Sequence, residues 1–157
     1  MPFSLLSSAA PFQARFMALG VITKRATATL PQTTTGAIFT ITGGRVVITS
    51  LIGTVTTVIQ TQVNNTKLTS APTTGTATDM CAVLDISAKE VGTQLSVIGP
   101  PATALYGPNA GLGQLMTNPQ IVPIGNILLN CAASNTGAVS WTCTWFALDD
   151  NAKLVAA

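Results

Sequence analysis

Alternation of apolar and polar residues, in a chain rich in threonine, most limits what this sequence can fold into. In GAIFTITGGRVVITSL (36–51) two β-branched runs flank Gly43-Gly44, and TVTTVIQTQV (54–63) continues the alternation. A period of two puts every second side chain on one face of a strand, and threonine keeps the other face polar without charge. A Gly-Gly pair between such runs predicts a tight hairpin, because mirror-type turns need positive φ. That register sets Thr42 opposite Arg45, Ile41 opposite Val46 and Phe39 opposite Ile48, so Phe39, Ile41, Val46 and Ile48 share one apolar face. In the next stretch Val55, Thr57, Ile59, Thr61 and Val63 share a side, and Asn64-Asn65 closes the strand.

The C-terminal region shows the same pattern. In PIGNILLNCAASNTGAVSWTCTWFALDD (123–150), Asn135-Thr136-Gly137 suits a three-residue turn with Gly137 in the left-handed position. Ser134 then pairs with Ala138, Cys131 with Trp141 and Leu129 with Cys143. Ile127, Leu129, Cys131, Trp141, Cys143 and Trp145 form one core face, burying both tryptophans. Between these regions MCAVLD (80–85) predicts a short central strand and LSVIG (95–99) another. ISAKEVG (86–92) predicts one helical turn, from the capping-box spacing of Ser87 and Glu90 and a stop at Gly92. The expected fold is all-β: a β-sandwich or jelly roll over residues 36–157.

Residues 1–35 read as an N-terminal arm and connector. Ser8 can cap a short helix with Pro11 in its first turn, which places Phe12, Phe16 and Leu19 on one face. ATATLPQTTTG (26–36) then reads as extended. The apolar face of the arm either folds back as core or docks on a neighbouring subunit. The composition favours docking: 47% of residues are hydrophobic and 8% charged, against about 25% charged in ordinary domains. So little charge argues for a surface covered by partners.

The same composition narrows the chemistry. Histidine is absent, which removes Ser-His and Cys-His pairs, zincin sites and an imidazole base. The five carboxylates, Asp79, Asp85, Glu90, Asp149 and Asp150, read as solvated turn and cap residues rather than a glycosidase pair. Asp149-Asp150-Asn151 offers three oxygen-bearing side chains, whereas calcium takes about six ligands; no metal, cofactor or catalytic residue is expected. GPNAGLGQ (107–114) resembles a phosphate loop but lacks its Lys and Ser/Thr, with Gln114 and Leu115 in their places. It lies in a segment, 100–119, holding four prolines and three glycines, and loops of such length usually serve function or contact a partner. A net charge of +2 is too small for a nucleic-acid groove. No apolar run approaches the about 20 residues of a membrane helix. A secretory signal is disfavoured, because Arg15 interrupts the N-terminal apolar stretch and no basic region precedes it. Cys81, Cys131 and Cys143 match no zinc spacing and are expected as free, buried thiols.

Two blocks, LPQTTTGAIFTITGGRVVITSLIGTVTTVIQTQVNNTKL and LNCAASNTGAVSWTCTWFALDD, cover under half of the chain. They resemble small Thr/Gly-rich virion structural proteins of tailed bacteriophages. The resemblance implies a capsid decoration (cement) protein of the phage head, assembled in the host cytoplasm. Its expected partners are copies of itself, as a homotrimer, and the major capsid protein. A tail, neck or fibre component, or a module binding host glycans, is the alternative. The arm residues Phe12, Phe16 and Leu19 would form the contact between subunits.

Overall fold

Two antiparallel sheets pack face to face in the computed structural model, whose described residues are 20–157. The first sheet runs β1 (Val21–Thr29), β10 (Ala138–Ala147), β3 (Val46–Thr57), β7 (Gln94–Ser96), with β8 (Gln120–Val122) also paired to β3. The second runs β11 (Lys153–Ala156), β2 (Thr35–Thr42), β9 (Gly125–Cys131), β4 (Asn65–Pro72), β5 (Thr78–Asp79), with β6 (Leu84–Asp85) also paired to β4. Among the described residues there is no helix. Phe12, Phe16 and Leu19 lie outside the described residues, as does the helix expected around them.

The faces follow the alternation, but the pairings do not. β2 bonds to β9 and β11, and β3 bonds to β10, β7 and β8. Phe39 therefore stands opposite Ile127 and Ala156, and Ile48 opposite Trp145 and Gln120, not opposite each other. Gly43-Gly44 carries the chain from one sheet to the other. Gly43 keeps a positive φ of 75°, and a Cβ there would collide with the Asn151 carbonyl. The C-terminal hairpin is corrected in the same way, since β9 and β10 lie in different sheets and Leu129 pairs with Gly36 and Leu68 rather than Cys143. Gly137 also has positive φ, 131°, where an added Cβ would press on Ile59. The physical reason is common to both. A period of two names the residues that point inward, and that set is the same whether two strands bond to each other or face each other across a core.

Three smaller differences have local causes. The ladder of β3 ends at Thr57, leaving 58–64 as a loop in which Ile59 is buried while Val58 and Val63 are exposed. MCAVLD is not a central strand; β5 and β6 are two-residue pairings at the margin of the second sheet. The turn at 86–92 is not helical, because the Asp85 carboxylate takes the backbone N–H groups of Asn64 (2.9 Å) and Ser87 (3.0 Å) and the Ser87 hydroxyl (2.9 Å). The sandwich also begins earlier than residue 36. Val21–Thr29 is an edge strand on β10, with Val21, Thr23 and Arg25 turned inward and Ile22 and Lys24 outward.

The core joins both sheets through Phe39, Ile41, Val46, Ile48, Trp141 and Trp145, all buried. Trp141 sits opposite Gly53, where a Cβ would come within 2.9 Å of its six-membered ring, so the glycine makes room for the indole. Each side of the sandwich is also stitched. On one side the Trp145 indole donates to the Thr23 hydroxyl (2.9 Å), which donates to the Leu154 carbonyl (3.2 Å), linking the edge strands β1 and β11. On the other, residues 103–106 bond both to Ala82, beside β6, and to Ser96 in β7. Such cover removes open strand edges that would template aggregation.

Two measurements check this architecture. Backbone NOEs should join Trp145 to Ile48 and Phe39 to Ile127; a cross-strand NOE between Phe39 and Ile48 would restore the hairpin. Thr23→Val, nearly isosteric, strands the Trp145 indole and should cost about 1–3 kcal/mol in denaturant unfolding. A loss below about 0.5 kcal/mol, the scale of ordinary surface substitutions, would mean that the link is idle.

Candidate functional site

The two outer faces of the sandwich differ in chemistry. On the second sheet several outward side chains are polar and bonded to one another, with the apolar Leu128 and the exposed Val155 interspersed. Thr40 donates to Asn126 (2.9 Å), Asn130 to Thr69 (2.5 Å), Thr69 to Asp79 (3.1 Å), and Lys67 pairs with Asp79 (2.6 Å). On the first sheet one end is apolar. Phe146 of β10 lies opposite Val47 of β3, and Val47 lies opposite Ile121 of β8, so three apolar residues line up across three strands. Phe146 is 45% and Ile121 61% exposed, while Val47 between them is buried. Ile22 on β1, opposite Thr144, and Leu148 just past β10 lie near the row, and both are exposed. Alternation explains the row: Trp145 and Ala147 occupy the inward register of β10, so Phe146 must point out.

Two features border this end. Gly20, with φ of 98°, packs directly on the Trp145 carbonyl beside the Phe146 backbone. Arg45 and Asp149 form a two-pronged ion pair, Nε to Oδ2 at 2.8 Å and a terminal guanidinium nitrogen to Oδ1 at 2.7 Å. The Arg45 backbone N–H adds a third bond to Oδ2 at 2.8 Å. The Arg45 side chain, then its backbone N–H, holds the Asp149 carboxyl down at about 2. Asp149 is thus engaged as a clamp between the start of β3 and the end of β10, while Asp150 is exposed.

The glycine-rich loop packs on the first sheet. The Gln114 N–H donates to the Ser96 hydroxyl (3.1 Å), and a Cβ on Gly113 would lie 3.1 Å from that of Gln94. A Cβ on Gly107 would press on the Leu95 side chain at 2.7 Å. Small residues let this loop lie close over β7. The five carboxylates do not converge. Lys67 lowers the Asp79 carboxyl, the Asn64 and Ser87 backbone N–H groups lower that of Asp85, and Glu90 is exposed. Among the described residues no group of three or more Cys, Asp or Glu stands together as metal ligands would. All three cysteines are free and buried, and burial raises each thiol. The outward row of Phe146, Val47 and Ile121 is not among the sequence expectations. A hairpin of β9 with β10 would give Phe146 other neighbours, and it meets Val47 only through the ladder with β3.

No family model matches the chain, and neither a curated protein nor a solved structure matches it.

The acid response follows from the carboxylates. Asp149, Asp79 and Asp85 have folded values below the ordinary 3.8. Each therefore contributes stability that is fully present above its unfolded value and lost as pH falls through the folded one. Tm should hold between about pH 7 and 5 and fall between about pH 4 and 2, with Asp149→Asn removing part of that fall. A Tm that stayed level down to pH 2 would show the clamp to be inert.

Proposed function

We propose that this chain is a structural component of a phage particle, a head decoration protein that assembles with copies of itself and binds the capsid lattice. The observation that carries the reading is the outward apolar row of exposed Phe146 and Ile121 flanking Val47 on one sheet face, where the other face carries a network of bonded polar side chains beside Leu128 and Val155. A contiguous outward apolar cluster of this kind serves contact with another macromolecule. Low charge supports it, with 12 charged side chains, 7 basic and 5 acidic, in 157 residues. The strand order supports a jelly-roll reading of the sandwich: β1-β10-β3-β7 faces β2-β9-β4-β5, so β1 to β4 pair in nested order with strands from the second half of the chain. Jelly rolls recur in viral capsid proteins and in lectins, which is an argument by analogy of fold. The homotrimer, the capsid partner and the docking of Phe12, Phe16 and Leu19 belong to this proposal.

The test has two parts. Phe146→Glu with Ile121→Lys should leave Tm within about 1–2 °C, since both side chains point to solvent, yet abolish self-association and particle binding in sedimentation. Because β1 starts at Val21, the matching truncation removes residues 1–19 and should leave a folded sandwich that no longer assembles. Gold-labelled protein should decorate heads; label confined to tails would replace the head reading with the tail or adhesin one. Normal assembly by the double variant would remove the apolar row from the account.

A further inference from the structure

A cleft between the sheets combines two features seldom found together: an apolar floor and buried hydrogen-bond donors with no acceptor among the described residues. It opens where β1 hands over to β2, and its volume is about 330 Å³. Ile38, Leu129, Val139 and Trp141 line it from β2, β9 and β10, and each is at most 3% exposed. Arg25 lines it from β1, directly opposite Trp141 in the ladder. The ladder of β1 breaks between Arg25 and Ala28, so the bulge falls beside the cleft. The Nε of Arg25 and the Nε1 of Trp141 are both buried without a partner. Native structures leave few such groups, and those that occur ask for an explanation. Among the described residues no Asp or Glu lines the cleft, and the ion pairs use Arg45 and Lys67, not Arg25.

We propose that this cleft binds an aliphatic carboxylate, its oxygens accepting from Arg25 and Trp141 and its hydrocarbon end resting on Ile38, Leu129 and Val139. Each part of the ligand answers a feature of the cleft. Two donors and a fixed positive charge with no internal counter-ion select an anionic acceptor. The buried apolar lining selects a short hydrocarbon stem over a fully hydrated anion. The volume stands at the small end of ordinary ligand sites, about 300–1,000 Å³. It admits a free short-chain acid or the carboxyl end of a polypeptide with an aliphatic last residue. Gln32 is not a competing donor, since its side-chain amide already serves the carbonyls of Leu30 (2.8 Å) and Asn135 (3.0 Å).

The experiment titrates the full-length protein with isovalerate while following the Trp141 indole N–H by nitrogen-15 NMR. Saturable movement of that resonance is expected, with isovaleramide, the neutral analogue, leaving it in place. Arg25→Met should weaken binding by about tenfold or more, the scale of a lost charge-assisted hydrogen bond. If that variant does not fold, Trp141→Phe replaces it, because the indole N–H has no protein acceptor to lose among the described residues. Ligand-induced change in Tm then reads the affinity, and weakened isovalerate binding supports the assignment. A peptide ending in a free valine carboxylate, compared with its amide, separates the sources. Tighter binding of the peptide acid than of isovalerate assigns the site to a polypeptide end, and weaker or equal binding to a free acid. Absence of saturation up to about 100 mM, a Kd weaker than any useful site, would overturn the proposal. Equal response to the amide, or unchanged affinity in the substituted protein, would do the same.

Discussion

Everything in this sandwich depends on the ladder that joins β10 to β3. It runs from Ala138 opposite Thr57 to Ala147 opposite Val46, and it seats the largest core side chain, Trp141, over Gly53. With that register set, Cys143 meets Leu51 and Trp145 meets Ile48, so the inward face of the first sheet is complete. The bulge between Thr144 and Trp145 on this ladder skips Thr49, which lets Ile48 and Leu51 both point inward while Ser50 and Val47 turn out. Phe146 and Val47 then become neighbours on the outer face. The core and the candidate contact surface are thus two sides of one register, and neither can shift alone.

That ladder joins residues about ninety positions apart, and the other principal ladders are also long-range: β1 with β10, β2 with β9 and β4 with β9. Chains dominated by such pairings close large loops before any contact rewards them, so they fold slowly and expose strand edges on the way. The stitching at both sides of the sandwich answers this exposure in the native state. Thr23 couples β1 to β11, and the segment from Thr103 to Tyr106 couples the margin of the second sheet to β7. These hydrogen bonds act beside the exposed Lys24 and Lys153 on the edge strands β1 and β11, which guard an edge in the usual way.

The amino-acid pattern carried one half of this arrangement and concealed the other. Phe39, Ile41, Val46, Ile48, Trp141 and Trp145 were legible as core because side-chain period and burial are local properties. Their partners were not legible, because a Gly-Gly or Asn-Thr-Gly turn is equally good for folding a strand back beside itself and for passing it across a core. Lys24-Arg25 hid β1, since two adjacent charges look like the polar flank of an arm. Only the ladder with β10 reveals that Arg25 is on the inward side. The outward row of Phe146, Val47 and Ile121 could not have been read from sequence, as its members are distant in the chain and meet through three strands.

Polar groups elsewhere in the interior show how unusual the Arg25 and Trp141 donors are. Asn64, fully buried, has its amide donating to the Ala133 carbonyl (3.2 Å) while its Oδ1 accepts the Ala133 N–H (3.2 Å), fixing the loop after β3 to the loop after β9. Buried Thr66 donates to the Asn64 carbonyl (3.2 Å), and Ser96 accepts from Gln114 (3.1 Å). The Trp145 indole, on the same strand as Trp141, has Thr23 as acceptor. Trp141 stands two places earlier on the inward row, where the partner strand offers Arg25, a donor, in place of a hydroxyl. Arg25 is directly opposite Trp141, whereas Thr23, which serves Trp145, is diagonal to it and opposite Cys143. Besides these two donors only the Asn135 Oδ1, an acceptor, is buried without a partner among the described residues, and an acceptor from outside the chain is what the Arg25 and Trp141 position lacks.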